Sequence, residues 1–256
     1  MISVEHVSMS FGGIRAVQDC SLEVAKGSIT GLIGPNGAGK TTLFNIIAGL
    51  YRPTAGRVLL DGGDVTGKKP HELFHLGLAR TFQIAQEFAH MPVIENLMLV
   101  PARQSGESLL SACFAWGRVR EEEGKLRKRA ESVIDFLRLG AVKYERAGNL
   151  SGGQKKLLEL GRVMMADPKV VLLDEVGAGV NRTLLAELAS DIERLNREHG
   201  YTFFVIEHDM DLIARLCDPV IVMAAGRVLT QGRMSDIRKD ARVIEAYFGG
   251  GSAVAA

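Results

Sequence analysis

Cysteine is scarce in this chain. Three stand among 256 residues, Cys20, Cys113 and Cys217, an odd number, widely spaced and outside any CxxC or Cys/His cluster. That argues against a disulfide framework and points to a reducing compartment. Net charge is also lacking: 31 lysines and arginines meet 30 aspartates and glutamates, leaving +1. No long-range field draws the chain to nucleic acid or an anionic membrane, so partners are found by shape and local chemistry, with no nucleic acid among them. Long apolar runs are missing too. No stretch approaches about 18 uninterrupted apolar residues, and "MISVEHVSMSFGG" has neither the basic opening nor the apolar run of a signal peptide. The expectation is a chain that does not cross a membrane by itself. Its last residues, 249–256, "GGSAVAA" with the glycine before them, read as a flexible tail.

What the chain does have is length enough for a large core and a regular alternation of strands and helices. "ISVEHVSM" and "AVQDCSLEV" alternate as strands, and "SITGLIG" reads as a buried strand ending at a glycine-rich turn. The helix "KTTLFNIIAG", the strand "RVLLDG", the short helix "HELFHLG" and the strand "LARTF" follow. Residues 92–166 change character, with helical periodicity throughout and a long charged helix in "RVREEEGKLRKRAESVIDFLRLG", read as a solvated face. Then come the apolar strand "KVVLLDE", a helix over 182–198, the strand "YTFFVIEH", the helix "MDLIARL" and the strands "PVIVMAA" and "RVLTQG". The fold class predicted is α/β, a P-loop nucleotidase core with an antiparallel β subdomain and a helical insertion. Its boundaries are core residues 1–91, insertion 92–166, core 167–248 and tail 249–256.

"GPNGAGKT" matches G-x-x-x-x-G-K-[ST] in full, between a predicted strand and a predicted helix. Glycines at 34, 37 and 39 let consecutive backbone N–H groups face phosphates. Lys40 is expected to reach the β and γ phosphates, and the Thr41 hydroxyl to ligate Mg²⁺. The nucleotide loop as a whole is Gly34, Pro35, Asn36, Gly37, Ala38, Gly39, Lys40, Thr41 and Thr42. In "VVLLDE", four apolar residues set Asp174 at a strand end where it can hold the metal, and Glu175 then reads as the general base for an attacking water.

A second anion grip is harder to place. In "NLSGGQKKLLELGR", Ser151, Gly152 and Gly153 stand at the start of an amphipathic helix, a positive end suited to phosphate, although the first loop already supplies one. This pentapeptide, Leu150 to Gln154, lying between the two nucleotide motifs, resembles the signature of the ATP-binding-cassette ATPases. The resemblance runs from about residue 2 to about residue 248. It implies two cassettes joined head to tail, as a homodimer or heterodimer, with ATP on the loop of one covered by Ser151, Gly152, Gly153 and Gln154 of the other.

The resemblance carries further positions singly. Phe11, expected in the turn after the first strand, matches the aromatic that stacks on adenine. Gln83 matches the glutamine touching Mg²⁺ and the attacking water, and His208 the histidine at the γ-phosphate. Asn181 stands where many members have aspartate, and Val176 where proline is usual. The cofactors implied are ATP and Mg²⁺.

"ARTFQ", "VIENLMLV", "IEHDMDLI" and "VIEAYFGG" resemble the branch that powers branched-chain amino-acid importers, which also includes lipopolysaccharide-export ATPases. That implies integral membrane permease subunits, indirectly a periplasmic binding protein, and a peripheral place on the cytoplasmic face of the inner membrane. The alternatives are an exporter of the same branch and a non-transport cassette ATPase. In this family the region after Gln83 forms a groove for a helix of the membrane subunit, which would engage Phe88, Met91, Val93, Ile94 and Leu97. One competing motif is "HELFH", His71 to His75, which has the spacing of a zinc-protease helix. Its short helix and the loop "TGKKP" before it favour a surface helix instead.

Overall fold

The computed structural model describes residues 1–81, 87–102, 104, 106, 116–177 and 179–248. Gln83, Cys113 and the tail 249–256 lie outside the described residues. The chain divides into two compact units, 1–80 with 169–177 and 192–256, and 81–168 with 178–191.

The first unit holds two sheets. The antiparallel one has the order β2-β1-β4-β5, from β1 (Ile2–Phe11), β2 (Ile14–Val24), β4 (Ala55–Leu60) and β5 (Gly63–Asp64). The second has the order β10-β9-β3-β8-β7-β6, built from β3 (Ile29–Ile33), β6 (Leu78–Arg80), β7 (Val170–Asp174), β8 (Thr202–Ile206), β9 (Val220–Ala224) and β10 (Arg227–Gly232). All its neighbouring pairs are parallel except β9 and β10. β3, β7 and β8 are buried at every position, as expected for parallel strands covered on both faces. One core joins both sheets: Ile2, Val4 and Val58 from the first meet Leu32, Val170, Phe204 and Met223 from the second. Between them lies α1 (Lys40–Ile47), whose Phe44 ring sits 4.8 Å from that of Phe204.

One boundary differs from expectation. β1 runs to Phe11, which pairs with Ile14 across Gly12 and Gly13. Phe11 is therefore the last strand residue and not part of the turn. The two-glycine loop, with Gly12 at φ 57°, is the kind that closes a tight hairpin without splaying its strands.

The second unit is helical but less uniformly so than its periodicity predicts. Its described helices include α3 (Val93–Met98), α4 (Trp116–Phe136) and α5 (Gly152–Ala166), and between α4 and α5 lie two single 3₁₀ turns, Gly140–Val142 and Ala147–Asn149. The charge run of α4 faces water and pairs with itself one turn apart, as in Arg118–Glu122 and Glu121–Lys125. The remaining helices among the described residues are α2 (Pro70–His75), α6 (Arg182–His199), α7 (Met210–Leu216), α8 (Met234–Ile237) and α9 (Ala241–Phe248).

Candidate nucleotide site

The parallel sheet sets its chemistry at one edge, because β3, β6, β7 and β8 all run the same way and their C-terminal ends open into loops there. From β3 springs the loop of residues 34–39, and at its end Gly39 caps α1 in the left-handed conformation, φ 97°. A Cβ on Gly34 would overlap the carbonyl oxygen of Met223, and one on Gly39 that of Ala16. Only glycine lets the loop curl this tightly, and a glycine-rich turn of this kind can present backbone N–H groups to an anion. No acidic residue stands in the first turn of α1 to neutralise that positive end.

Lys40 lies over the loop, its Nζ donating to the carbonyl oxygens of Gly34 at 2.7 Å and Pro35 at 3.1 Å. Burial lowers its pKa, and the charge of Glu175 partly counters that shift. Thr41, next in the helix, is exposed. A glycine cradle, a buried cation and two hard oxygen donors, the Thr41 hydroxyl and the Asp174 carboxylate, fit a nucleotide triphosphate with Mg²⁺.

Asp174 ends β7, buried, and accepts from Arg80 at 2.7 Å through its Oδ2. The other arm of that guanidinium donates to Asn45 Oδ1 at 2.6 Å, tying the carboxylate to α1. Glu175 follows with φ 50°, a left-handed conformation rare for a residue with a side chain. Its N–H donates to the carbonyl of Ile206 at 3.0 Å, and its Oε1 lies 3.0 Å from His208 Nε2. The predicted base and the predicted histidine thus meet. Beneath them Glu207, 4% exposed, accepts from the backbone N–H groups of Gly177 at 2.6 Å and His208 at 3.1 Å. Burial raises its pKa, against the opposing pull of those amides. Phe11 is 43% exposed and meets the ring of Tyr51 edge-on, centroids 5.4 Å apart.

In the helical unit, Ser151 caps α5 through a reciprocal pair: its Oγ accepts from the Gln154 N–H at 3.3 Å, and Gln154 Oε1 accepts from the Ser151 N–H at 3.0 Å. A Cβ on Gly153 would overlap Leu184, so the turn packs directly on the start of α6. Asn181 accepts from the Leu184 N–H at 3.0 Å and so serves the first turn of that helix.

The zinc-like motif is otherwise engaged. Glu72 accepts from the Lys69 backbone N–H at 2.8 Å, capping the helix on which it stands, and among the described residues no His, Cys, Asp or Glu group forms a metal cluster with it. Arg80, Asn45, Tyr51 and Glu207 were not singled out by their sequence, since each owes its place to a partner far along the chain or to a backbone group.

Fold and site together define a P-loop nucleotidase with a helical insertion carrying a second glycine-rich helix start. Residues 17–178 match the family model described as ABC transporter. A probable branched-chain amino acid transport ATP-binding protein LivG of Archaeoglobus fulgidus is 39% identical over 97% of this chain and 95% of its own length. The high-affinity branched-chain amino acid transport ATP-binding protein LivG of Escherichia coli K12 is 36% identical over 97% and 98%. Among solved structures, an ATP-binding cassette of an ABC transporter in its ADP conformation superposes with a TM-score of 0.82 at 36% identity, covering 97% of this chain and 98% of that one. The chain belongs to the ABC transporter family and is its ATP-binding, ATP-hydrolysing cassette. Membership implies membrane permease partners; among the described residues no helix is long and apolar enough to cross a membrane.

Proposed function

We propose that this cassette powers import of branched-chain amino acids or related small polar solutes. The observation that carries the reading is likeness over nearly the whole chain to relatives named for that transport. The cassette sits peripherally on the cytoplasmic face of the inner membrane, pairs with a second cassette, like or unlike itself, and drives permease subunits supplied by a periplasmic binding protein. ATP lies along the loop of residues 34–42, its adenine against Phe11. Lys40 turns from its own loop carbonyls to the β and γ phosphates. Thr41, Asp174 and Gln83 would hold Mg²⁺, which would supply charge neutralisation on those phosphates. Glu175 takes a proton from the water that attacks the γ-phosphorus while the bond from that phosphorus to the β,γ-bridging oxygen breaks and ADP leaves, and His208 orients Glu175 and contacts the γ-phosphate. Ser151, Gly152, Gly153, Gln154 and Asn181 of one chain close over the ATP of the other.

Glu175→Gln tests the chemistry. It should bind ATP as before, hydrolyse at less than about a hundredth of the normal rate and accumulate as an ATP-held dimer on sizing columns. A Glu175→Gln chain that binds ATP with Mg²⁺ yet stays monomeric would sink the shared site. For transport, ATP-dependent leucine uptake by vesicles carrying the chain with its permeases decides the substrate class. Uptake of no branched-chain amino acid would remove that assignment.

A further inference from the structure

The carboxylate of Glu207 is costly where it stands. It is almost wholly buried, its pKa is raised by that burial, and the nearby Glu175 charge pushes in the same direction. Among the described residues no lysine or arginine pairs with it; its partners are backbone N–H groups alone. A buried carboxylate without a cation is poor material for stability, and an apolar residue would extend the buried run of β8 more cheaply. What Glu207 gains is position. One oxygen holds the N–H of Gly177, two residues beyond Glu175, and the other holds the N–H of His208. The two segments whose side chains meet at 3.0 Å are therefore clamped from behind by one side chain. Glu175 needs such a clamp because its φ of 50° is held against the ordinary preference of a residue with a Cβ. The Ile206 carbonyl grips the strained turn at its N–H, and Glu207 grips it two residues on.

We infer that Glu207 is a positioning residue for hydrolysis, which fixes Glu175 and His208 relative to each other by binding the backbone behind both. The inference rests on the reading of Glu175 as the base. Glu207 is buried and spends its oxygens on backbone N–H groups, so its effect appears in turnover and not in nucleotide affinity.

The test is a double-mutant cycle on the full chain, with ATP affinity, kcat and KM measured for Glu207→Gln, Glu175→Gln and both together. An amide in place of the carboxylate keeps size and shape but turns an NH₂ toward one backbone donor. A misplacement of the base by a fraction of an ångström to 1 Å should then lower kcat by about 10- to 100-fold, leaving KM and ATP affinity within roughly twofold. On the Glu175→Gln background the same change should cost nothing further, because the group being positioned is already gone. Wild-type kcat in Glu207→Gln, or a loss shared equally by affinity and turnover, would overturn the inference. An active Glu175→Gln would instead overturn the base assignment, so the two failures read differently. Should Glu207→Gln not fold, Glu207→Asp carries the same test: the charge stays but the arm is one methylene shorter and cannot hold both segments as before, and an unchanged kcat there is equally fatal.

Discussion

Arg80 shows how one side chain can bind two motifs that the chain writes far apart. Its guanidinium spans Asp174 at the end of β7 and Asn45 within α1, while its Nε–H is buried with no partner. The pair with Asp174 is nearly dry, the two side chains being 13% and 10% exposed. Desolvating both charges makes the pair itself a modest source of stability, whereas leaving one charge behind is expensive. Arg80→Met should accordingly lower the unfolding free energy by about 3 kcal/mol, because it takes the cation from a nearly dry carboxylate. Urea denaturation of the two proteins checks this. An Arg80→Met chain as stable as the parent would show that water reaches the Asp174 carboxylate.

At the scale of elements, helix starts do much of the work in the second unit. α5 begins with a reciprocal Ser151–Gln154 cap, and the first turn of α6 is served by Asn181. Asparagine and aspartate accept this bond equally well, so Asn181→Ala should cost about 1 kcal/mol of stability while Asn181→Asp costs almost none. Denaturant midpoints at constant slope decide it, and an alanine variant with an unmoved midpoint would deny the cap any weight. The elements most legible in the sequence were those with one dominant constraint. β3, β7 and β8 are continuous apolar runs closed by turns, and the phosphate loop has a spacing that glycine sterics demand. Phe11 ends β1 one step before the turn expected for it, and "FGGI" carries the two-residue hairpin signal for that placement. Arg80 and Glu207 stayed hidden for a different reason. The partner of Arg80 lies 94 residues away and is brought near by the pairing of β6 with β7, while Glu207 acts on amides that every residue but proline possesses.

For the whole molecule the question is how the proposed closure on ATP would reach a membrane partner, and residues 88–97 bear on it. Of the five apolar residues expected to line a groove, Val93, Ile94 and Leu97 are buried, 0%, 2% and 0% exposed, and so belong to the packing of α3. Phe88 is different, 49% exposed and held out by a rigid support. The buried Asn96 side chain accepts from the Phe88 N–H at 2.8 Å and donates to the Phe88 carbonyl at 3.1 Å, fixing its backbone. The Arg162 guanidinium lies 5.5 Å from the ring centroid. A large apolar ring presented so firmly to solvent suits a helix docked from another subunit, with the ring as anchor. Phe88→Glu then isolates that role, because a carboxylate at this place meets Arg162 and needs no burial. The isolated chain should fold and hydrolyse ATP within about twofold of the parent, while co-purification with the permease subunits is lost, a penalty on the order of 2 kcal/mol or more for a central aromatic. Retained assembly would move the coupling site elsewhere on the molecule. Loss of the ATPase activity of the isolated chain would mean that Phe88 packs the unit together and docks nothing.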